Sequence, residues 1–440
     1  MKTLLAVAAL VAAVPAAAQP RVIPSPLAAD IDARAAAVEQ ELLQWRRHLH
    51  EHPELSNREA ETAKFVAGQL RSFGLEPKTG IARHGVVAVL QGALPGPVVA
   101  LRSDMDGLPV VEETGLPFAS RAKGEFDGKP VGVMHACGHD AHMSMLLATA
   151  KILTELRPRL RGTVRFIFQP AEEGAPRGES PAGADAMVKE GVLKGPDVDA
   201  IFGLHVFANI PSGHVAWRSG PLLAATDTYE IIVRGRQTHG ANPWAGIDPI
   251  VVGSQIVLGL QTIVSRQIDI TAQPAIVTVG QFEAGTRQNI IPDTARLVGT
   301  IRTFDDGMQN DVHARITRTA QRIAEAAGAT AEVRIDRGYP VTVNNPQLTS
   351  RMMPTLERVA GRRLIEIPKN TVAEDFSYFQ REVPGLFLLL GITPVDQVGK
   401  AAANHSPRFF VDETALVTGV RTLAHLAADY LFAGAEVSRK

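Results

Sequence analysis

Alternation constrains this chain most. Short apolar runs at residues 86–90, 98–102, 163–168, 200–204 and 386–390 are separated by stretches of helical periodicity such as 59–73 and 141–156. Strand-length apolar runs interleaved with amphipathic helices predict an α/β fold and argue against a sandwich or a bundle. Asp140 stands where a cap for the helix at 141–156 is expected. A chain of 440 residues exceeds what one core usually organises, so two domains are expected.

The rhythm changes over residues 226–337. A strand at 229–233 is followed by a helix around 250–265, strands at 275–282 and 295–304, a helix at 309–327 and a strand at 331–335. That β-α-β-β-α-β order is the split ferredoxin-like unit. The expected organisation is a first domain over residues 21–225, an inserted second domain over 226–337, and the first domain resumed over 338–440.

The chain opens on Met1 and Lys2, an apolar run over residues 4–14, and then Pro15-Ala16-Ala17-Ala18. This is the order of a secretory signal peptide, expected over residues 1–20, and it implies export, to the periplasm in a bacterial cell. No later stretch is expected to be apolar for long enough to cross a bilayer. Lys plus Arg number 45 against 46 Asp plus Glu, which gives no electrostatic reason for nucleic acid or an acidic membrane surface as partner. A small molecule is the ligand left by default. The single cysteine, Cys137, has no disulfide partner within the chain, and a metal-held thiolate would explain its presence in an exported protein.

Metal-competent side chains fall just after predicted strands or where a helix opens. Asp104 and Asp106 follow one strand, Glu172 and Glu173 another, His205 a third, and His405 lies beyond the strand at 386–390; Cys137, His139 and Asp140 sit in a Gly-containing turn before a helix. Ligands of open α/β sheets gather beyond the carboxyl ends of the strands, so these positions can meet in one crevice. One thiolate, three imidazoles and a carboxylate suit zinc or another first-row divalent ion, and two ions could be served. Adjacent residues of an extended segment point opposite ways, so one of Glu172 and Glu173 can bind metal while the other takes a proton from water. His48, His50 and His52 are expected in surface or capping roles. His84, His214, His313 and His425 carry no assignment, and His135 and His142 are at most supports.

Six ordered motifs then become recognisable: Met134-His135-Ala136-Cys137-Gly138-His139-Asp140, Gln169-Pro170-Ala171-Glu172-Glu173-Gly174, Gly203-Leu204-His205-Val206, Asn289-Ile290-Ile291-Pro292-Asp293, Glu374-Asp375-Phe376 and Asn404-His405-Ser406-Pro407. Together they resemble the dinuclear metallopeptidase and aminoacylase family, in its branch of hippurate hydrolases, N-acyl amino acid amidohydrolases and auxin-conjugate hydrolases. The resemblance implies a zinc-peptidase-like catalytic domain with an inserted ferredoxin-like lid that often dimerises. It carries two divalent ions, manganese or zinc, onto Cys137, His139, Glu173, His205 and His405, and the general base onto Glu172. His239 resembles a lid histidine that reaches the substrate carbonyl, commonly across a dimer interface. Asn289 and Arg302 would grip the substrate carboxylate, Arg302 through bidentate geometry.

Two positions depart from the pattern. Asp104 stands where the peptidase branch has a histidine, and is expected beside Asp106 as a group orienting a ligand. Thr238 stands where a glycine is usual before the lid histidine, in the region that would shape the acyl pocket. The implied activity is hydrolysis of the amide of an N-acyl amino acid; the alternatives are a dipeptidase or carboxypeptidase using the same site, and a non-catalytic metal-dependent binding protein.

Overall fold

A computed structural model describes residues 24–433, and the leader expected at residues 1–20 lies outside them. Four parallel strands form the centre of an eight-stranded sheet: Arg161–Gln169, Leu94–Asp104, Ala200–Pro211 and Gly385–Thr393, in that spatial order. Gly85–Gln91 and Lys78–Ile81 continue one edge in antiparallel fashion, and Val215–Trp217 with Leu364–Glu366 continue the other. Parallel strands covered on both faces must be apolar throughout, and every residue of Gly385–Thr393 is buried. One face carries the helices that supply Leu42, Leu146, Leu356 and Leu426; the other is covered by Met187, Phe376 and Phe379. Each strand expected from the sequence is present, but that of 200–204 runs on to Pro211, so His205 lies within a strand and not beyond its end.

The helix His139–Glu155 is buried over most of its length and opens at Gly138, whose φ is +98°. A Cβ at Gly138 would stand 2.2 Å from Val206 Cγ2, so both the backbone and the close approach to the neighbouring strand require glycine there. That turn sets Cys137 and His139 on either side of the helix start.

Asp140 does not cap this helix, contrary to expectation. Its Oδ2 accepts from Arg46 Nε at 2.8 Å and lies 2.9 Å from His50 Nδ1. His50 is a second correction: it is buried, with Nε2 3.1 Å from Glu112 Oε1. The reason is helical spacing. In Glu39–Glu51, Arg46 and His50 share the face that buries Leu42 and Leu49, whereas His48 projects to solvent and His52, just past the helix end, is exposed too.

A separate four-stranded antiparallel sheet takes its strands from the inserted stretch, in the order Ile276–Ala284, Thr294–Thr303, Ala225–Arg234, Thr330–Arg337. The helices Pro249–Thr262 and Asp306–Ala326 supply Val252, Ile256, Leu260, Val312, Ile316 and Ala320 to its core. This is the expected ferredoxin-like unit. One expectation fails here: Pro249–Gln267 is long and apolar enough, by length and composition, to cross a membrane. Its apolar character is divided between the face packed on the sheet and an outward face bearing Val251 and Leu258.

The buried His50 yields a prediction. Burial pushes its pKa down, but the Asp140 carboxylate and hydrogen bonds to Asp140 and Glu112 outweigh this and raise it to about 9. A raised folded-state pKa stabilises fully below the unfolded value of about 6.5, and the contribution is lost as pH rises through about 9. The shift corresponds to something on the order of 3 kcal/mol. Urea unfolding of wild type and His50→Asn should therefore show a wild-type advantage at pH 6.5 that shrinks by pH 10; a pH-independent difference would refute the charged pair.

Candidate active site

The carboxyl ends of the central strands and the Gly138 turn bring the expected ligands together. Cys137 Sγ lies 3.3 Å from His205 Nε2 and 3.3 Å from His405 Nε2, and Glu173 Oε1 is 3.3 Å from His405 Nε2. His139 Nε2 lies 3.8 Å from Glu172 Oε2 and 3.9 Å from Glu173 Oε1. These side chains form overlapping groups close enough to share an ion: Cys137 with Glu173 and His405, and His139 with Glu172 and Glu173. The two glutamates diverge as their adjacency requires. Glu173 turns toward Cys137 and His405, whereas Glu172 also stands in a group with Glu374 and Asp375.

Backbone geometry holds this arrangement. Ala171 has φ +51° and His405 φ +71°, left-handed conformations that non-glycine residues take at a cost of about 1–3 kcal/mol. The Ala171 N–H donates to Glu59 Oε1 at 2.8 Å, and His405 N–H donates to Ala136 O at 2.8 Å. The N–H groups of Glu172 and Glu173 both donate to the Asp106 carboxylate, at 3.0 Å each.

Supporting groups fix which nitrogens remain open. His142 is fully engaged, with Nδ1 2.6 Å from Asp104 Oδ1 and Nε2 accepting from Val206 N–H at 2.8 Å. His205 Nδ1 donates to its neighbour's carbonyl, Val206 O, at 2.7 Å, which leaves Nε2 as a bare lone pair directed at Cys137. Burial and the nearby His142 keep this imidazole neutral, pushing it well below the usual range. Asp106, at 3.3 Å, stands closer to His139 Nδ1 than Asp104 does at 3.8 Å. Asp104 instead joins His142 to Arg102, so the group beside the imidazole of His139 is Asp106.

Charge decides what the site needs. Burial raises the Glu172 carboxyl well above the usual range, with Glu374, Glu173 and Asp375 adding to the effect. Burial likewise raises the Cys137 thiol, with Glu173 and Glu172 next. The His139 imidazole, which burial alone would push down, is raised to about 10 chiefly by Asp104 and Asp106. His139 Nε2 and Glu173 Oε1 are buried without a hydrogen-bond partner. Orphaned donor atoms, a bare imidazole lone pair and surplus buried acid fit divalent cations held by Cys, His and Glu.

A cleft of about 390 Å³ opens over these residues, lined by Cys137, Glu172, His205, His405, Tyr339 and Arg302 together with Phe207, Leu223, Val372 and Leu389. Arg302 is thus brought to the site from the inserted sheet. His239 and Asn289 are not: they face solvent on a two-stranded ribbon of the inserted domain, where Gly240 N–H donates to Asn289 O at 2.8 Å. Sequence reasoning missed Arg102, Glu59 and Tyr339, and assigned no role to Glu374. Arg102 carried a signal, a lone cation inside an apolar strand; Tyr339 carried none.

Residues 100–429 match peptidase family M20/M25/M40. Thermostable carboxypeptidase 1 of Saccharolobus solfataricus is 41% identical over 395 residues, covering 89% of this chain and 96% of the relative. N-acyl-L-amino acid amidohydrolase of Geobacillus stearothermophilus is 44% identical over 307 residues, covering 70% and 79%. Among solved structures, the YXEP protein of Bacillus subtilis, a dinuclear metal binding peptidase from the M20 family, superposes with a TM-score of 0.74 at 36% identity, covering 89% of this chain and 98% of that one. With the matched segment spanning Cys137, His139, Glu172, Glu173, His205 and His405, the chain belongs to peptidase family M20/M25/M40.

Proposed function

We infer that the protein is a metal-dependent amidohydrolase acting on N-acyl amino acids. The observation that carries this reading is Cys137 Sγ placed 3.3 Å from the Nε2 atoms of both His205 and His405, with Glu172 beside the same cluster and turned to the cleft. Cys137, His139, Glu173, His205 and His405 would hold two ions, and their mixed thiolate, imidazole and carboxylate donors suit zinc or manganese. Such ions supply Lewis acidity and a lowered water pKa. The names of the amidohydrolase and carboxypeptidase relatives support hydrolysis of an amide beside a carboxylate.

The chain's own groups then divide the work. Glu172 Oε2 accepts the proton of the attacking water and returns it to the leaving amine, so the products are a carboxylic acid and a free amino acid. Its place beside Glu173 and on the cleft wall puts it within reach of both events. Arg302, on the cleft wall and half-buried, binds the substrate carboxylate; loss of water around it disfavours its charge until an anion arrives. Phe207, Leu223, Val372 and Leu389 exclude water from the apolar part of the substrate.

The proposal extends to a homodimer, to a two-domain division at residues 226 and 338, and to export directed by the leader. Trp244 at 80% exposed, Leu258 at 71% and Val251 at 54% give the inserted domain an apolar outer surface suited to a second copy. His239 accepts from Ala241 N–H through Nδ1 at 3.0 Å, which leaves Nε2–H to donate to a substrate carbonyl in the partner's cleft.

Three measurements test this reading. Glu172→Gln should keep its metal content and melting temperature and lose turnover of N-acetyl and N-benzoyl amino acids by about 10³-fold or more; full activity would remove the base. Arg302→Ala should raise KM about 10- to 100-fold for a free-carboxylate substrate and leave the carboxamide analogue nearly unaffected, and equal losses on both would break the assignment. Mixing Glu172→Gln chains with His239→Ala chains should restore activity that neither has alone, because a mixed dimer contains one intact site; no recovery would count against a shared site.

A further inference from the structure

Glu172 and Glu173 are joined by one peptide unit, and a peptide is planar, so its orientation sets the directions in which both side chains leave the backbone. This plane is gripped on both edges. On one edge Glu173 N–H donates to Asp106 Oδ2 at 3.0 Å; on the other, Glu172 O accepts from the Tyr339 hydroxyl at 2.6 Å. The Asp106 contact comes from the large sheet. The Tyr339 contact comes from the point where the chain leaves the inserted sheet, two residues beyond the strand Thr330–Arg337.

That point is tied to the other crossing between the two sheets. Thr226 N–H donates to Tyr339 O at 3.0 Å, and Gly338 N–H donates to Thr226 O at 2.9 Å. Thr226 pairs with Arg302 across the inserted sheet, and both line the cleft. Asp227 anchors the same junction, accepting from Gln309 Nε2 at 2.9 Å and lying 2.6 Å from His313 Nε2. The Tyr339 ring is braced edge-on by Tyr378, with centroids 6.2 Å apart.

We propose that Tyr339 is a positioning residue whose hydroxyl couples the hinge of the inserted domain to the peptide plane joining Glu172 to Glu173. A shift of the Thr226–Gly338 crossing moves Tyr339 and turns that plane, so the base and its neighbouring ligand are held aligned in the same arrangement that sets Arg302 on the cleft wall. The assignment of Glu172 as base rests on the amidohydrolase reading; the mechanical link does not.

The test reads amide hydrogen exchange over residues 172–174 in the purified full chain, with steady-state kinetics alongside. Tyr339→Phe keeps the ring and removes the hydroxyl, and should speed exchange there at least about tenfold while the melting temperature stays put. It should lower kcat by about tenfold and change KM little, since misplacement of a reacting group by about 1 Å can cost 10²-fold. Gly338→Ala forces a Cβ to within 2.5 Å of Thr226 O and disturbs the hinge, while Asp227→Asn weakens the adjoining anchor without adding bulk. Either hinge variant should speed exchange at 172–174 in the native background and add nothing in the Tyr339→Phe background. Unchanged exchange in Tyr339→Phe, or equal hinge effects in both backgrounds, would overturn the coupling. A wild-type protein that hydrolyses no amide would fail the functional reading, and the exchange comparison would still decide this one.

Discussion

A single buried cation ties the site to the sheet. Arg102 donates to Gln169 Oε1 at 2.8 Å, to Asp104 Oδ2 at 2.7 Å and to Asp375 Oδ1 at 3.0 Å, and lies 2.9 Å from Glu374 Oε1. It joins the ends of two neighbouring strands to the segment that precedes Ser377–Glu382, and removing one partner from such a buried cluster typically costs about 3–5 kcal/mol. Around this one guanidinium stand more carboxylates than it neutralises. Burial, with that surplus added, raises the proton affinity of Glu172, and the unneutralised acid together with the open atoms of His139 and Glu173 makes the crevice a receptor for cations.

From that imbalance the remaining arrangement follows. Asp104 is satisfied by Arg102 and His142, which fixes His142 and, through Val206, the strand carrying His205. Asp106 is taken up by Ser56 and by the N–H groups of Glu172 and Glu173, which fixes the two glutamates. The inserted sheet contributes a cation to the cleft wall, Arg302. The groups lining the cleft therefore come from different sheets, joined at Thr226 and Gly338.

Parts of this were legible in the chain before folding. The meeting of Cys137, His139, His205 and His405 with the Glu172 and Glu173 pair could be expected because segments beyond the strands of an α/β sheet converge, although His205 stands within its strand; the choice of Glu173 as ligand was what the motif resemblance implies. The ferredoxin-like unit could be expected because its β-α-β-β-α-β order follows from periodicity alone. Asp140 and His50 were misjudged for a shared reason. Each sits where local rules favour a cap or a surface, yet the pairing of Asp140 with Arg46 and His50 spans about ninety residues and is invisible to any local window. Asp104 was placed beside the right neighbours, but which carboxylate faces His139 depended on how Arg102 and His142 divided its two oxygens.

What the sequence determined by itself is the class of fold, the residue types that could hold a cation and the order of the secondary elements, because these depend on periodicity and residue chemistry that are local in the chain. What tertiary structure alone decided is which nitrogens stay open, which carboxylate is free, that Arg302 joins the cleft while His239 and Asn289 stand apart, and that Tyr339 reaches Glu172. Those outcomes rest on hydrogen bonds and burial between residues far apart in sequence, where the competition of many partners for each polar atom is settled only when the chain is packed.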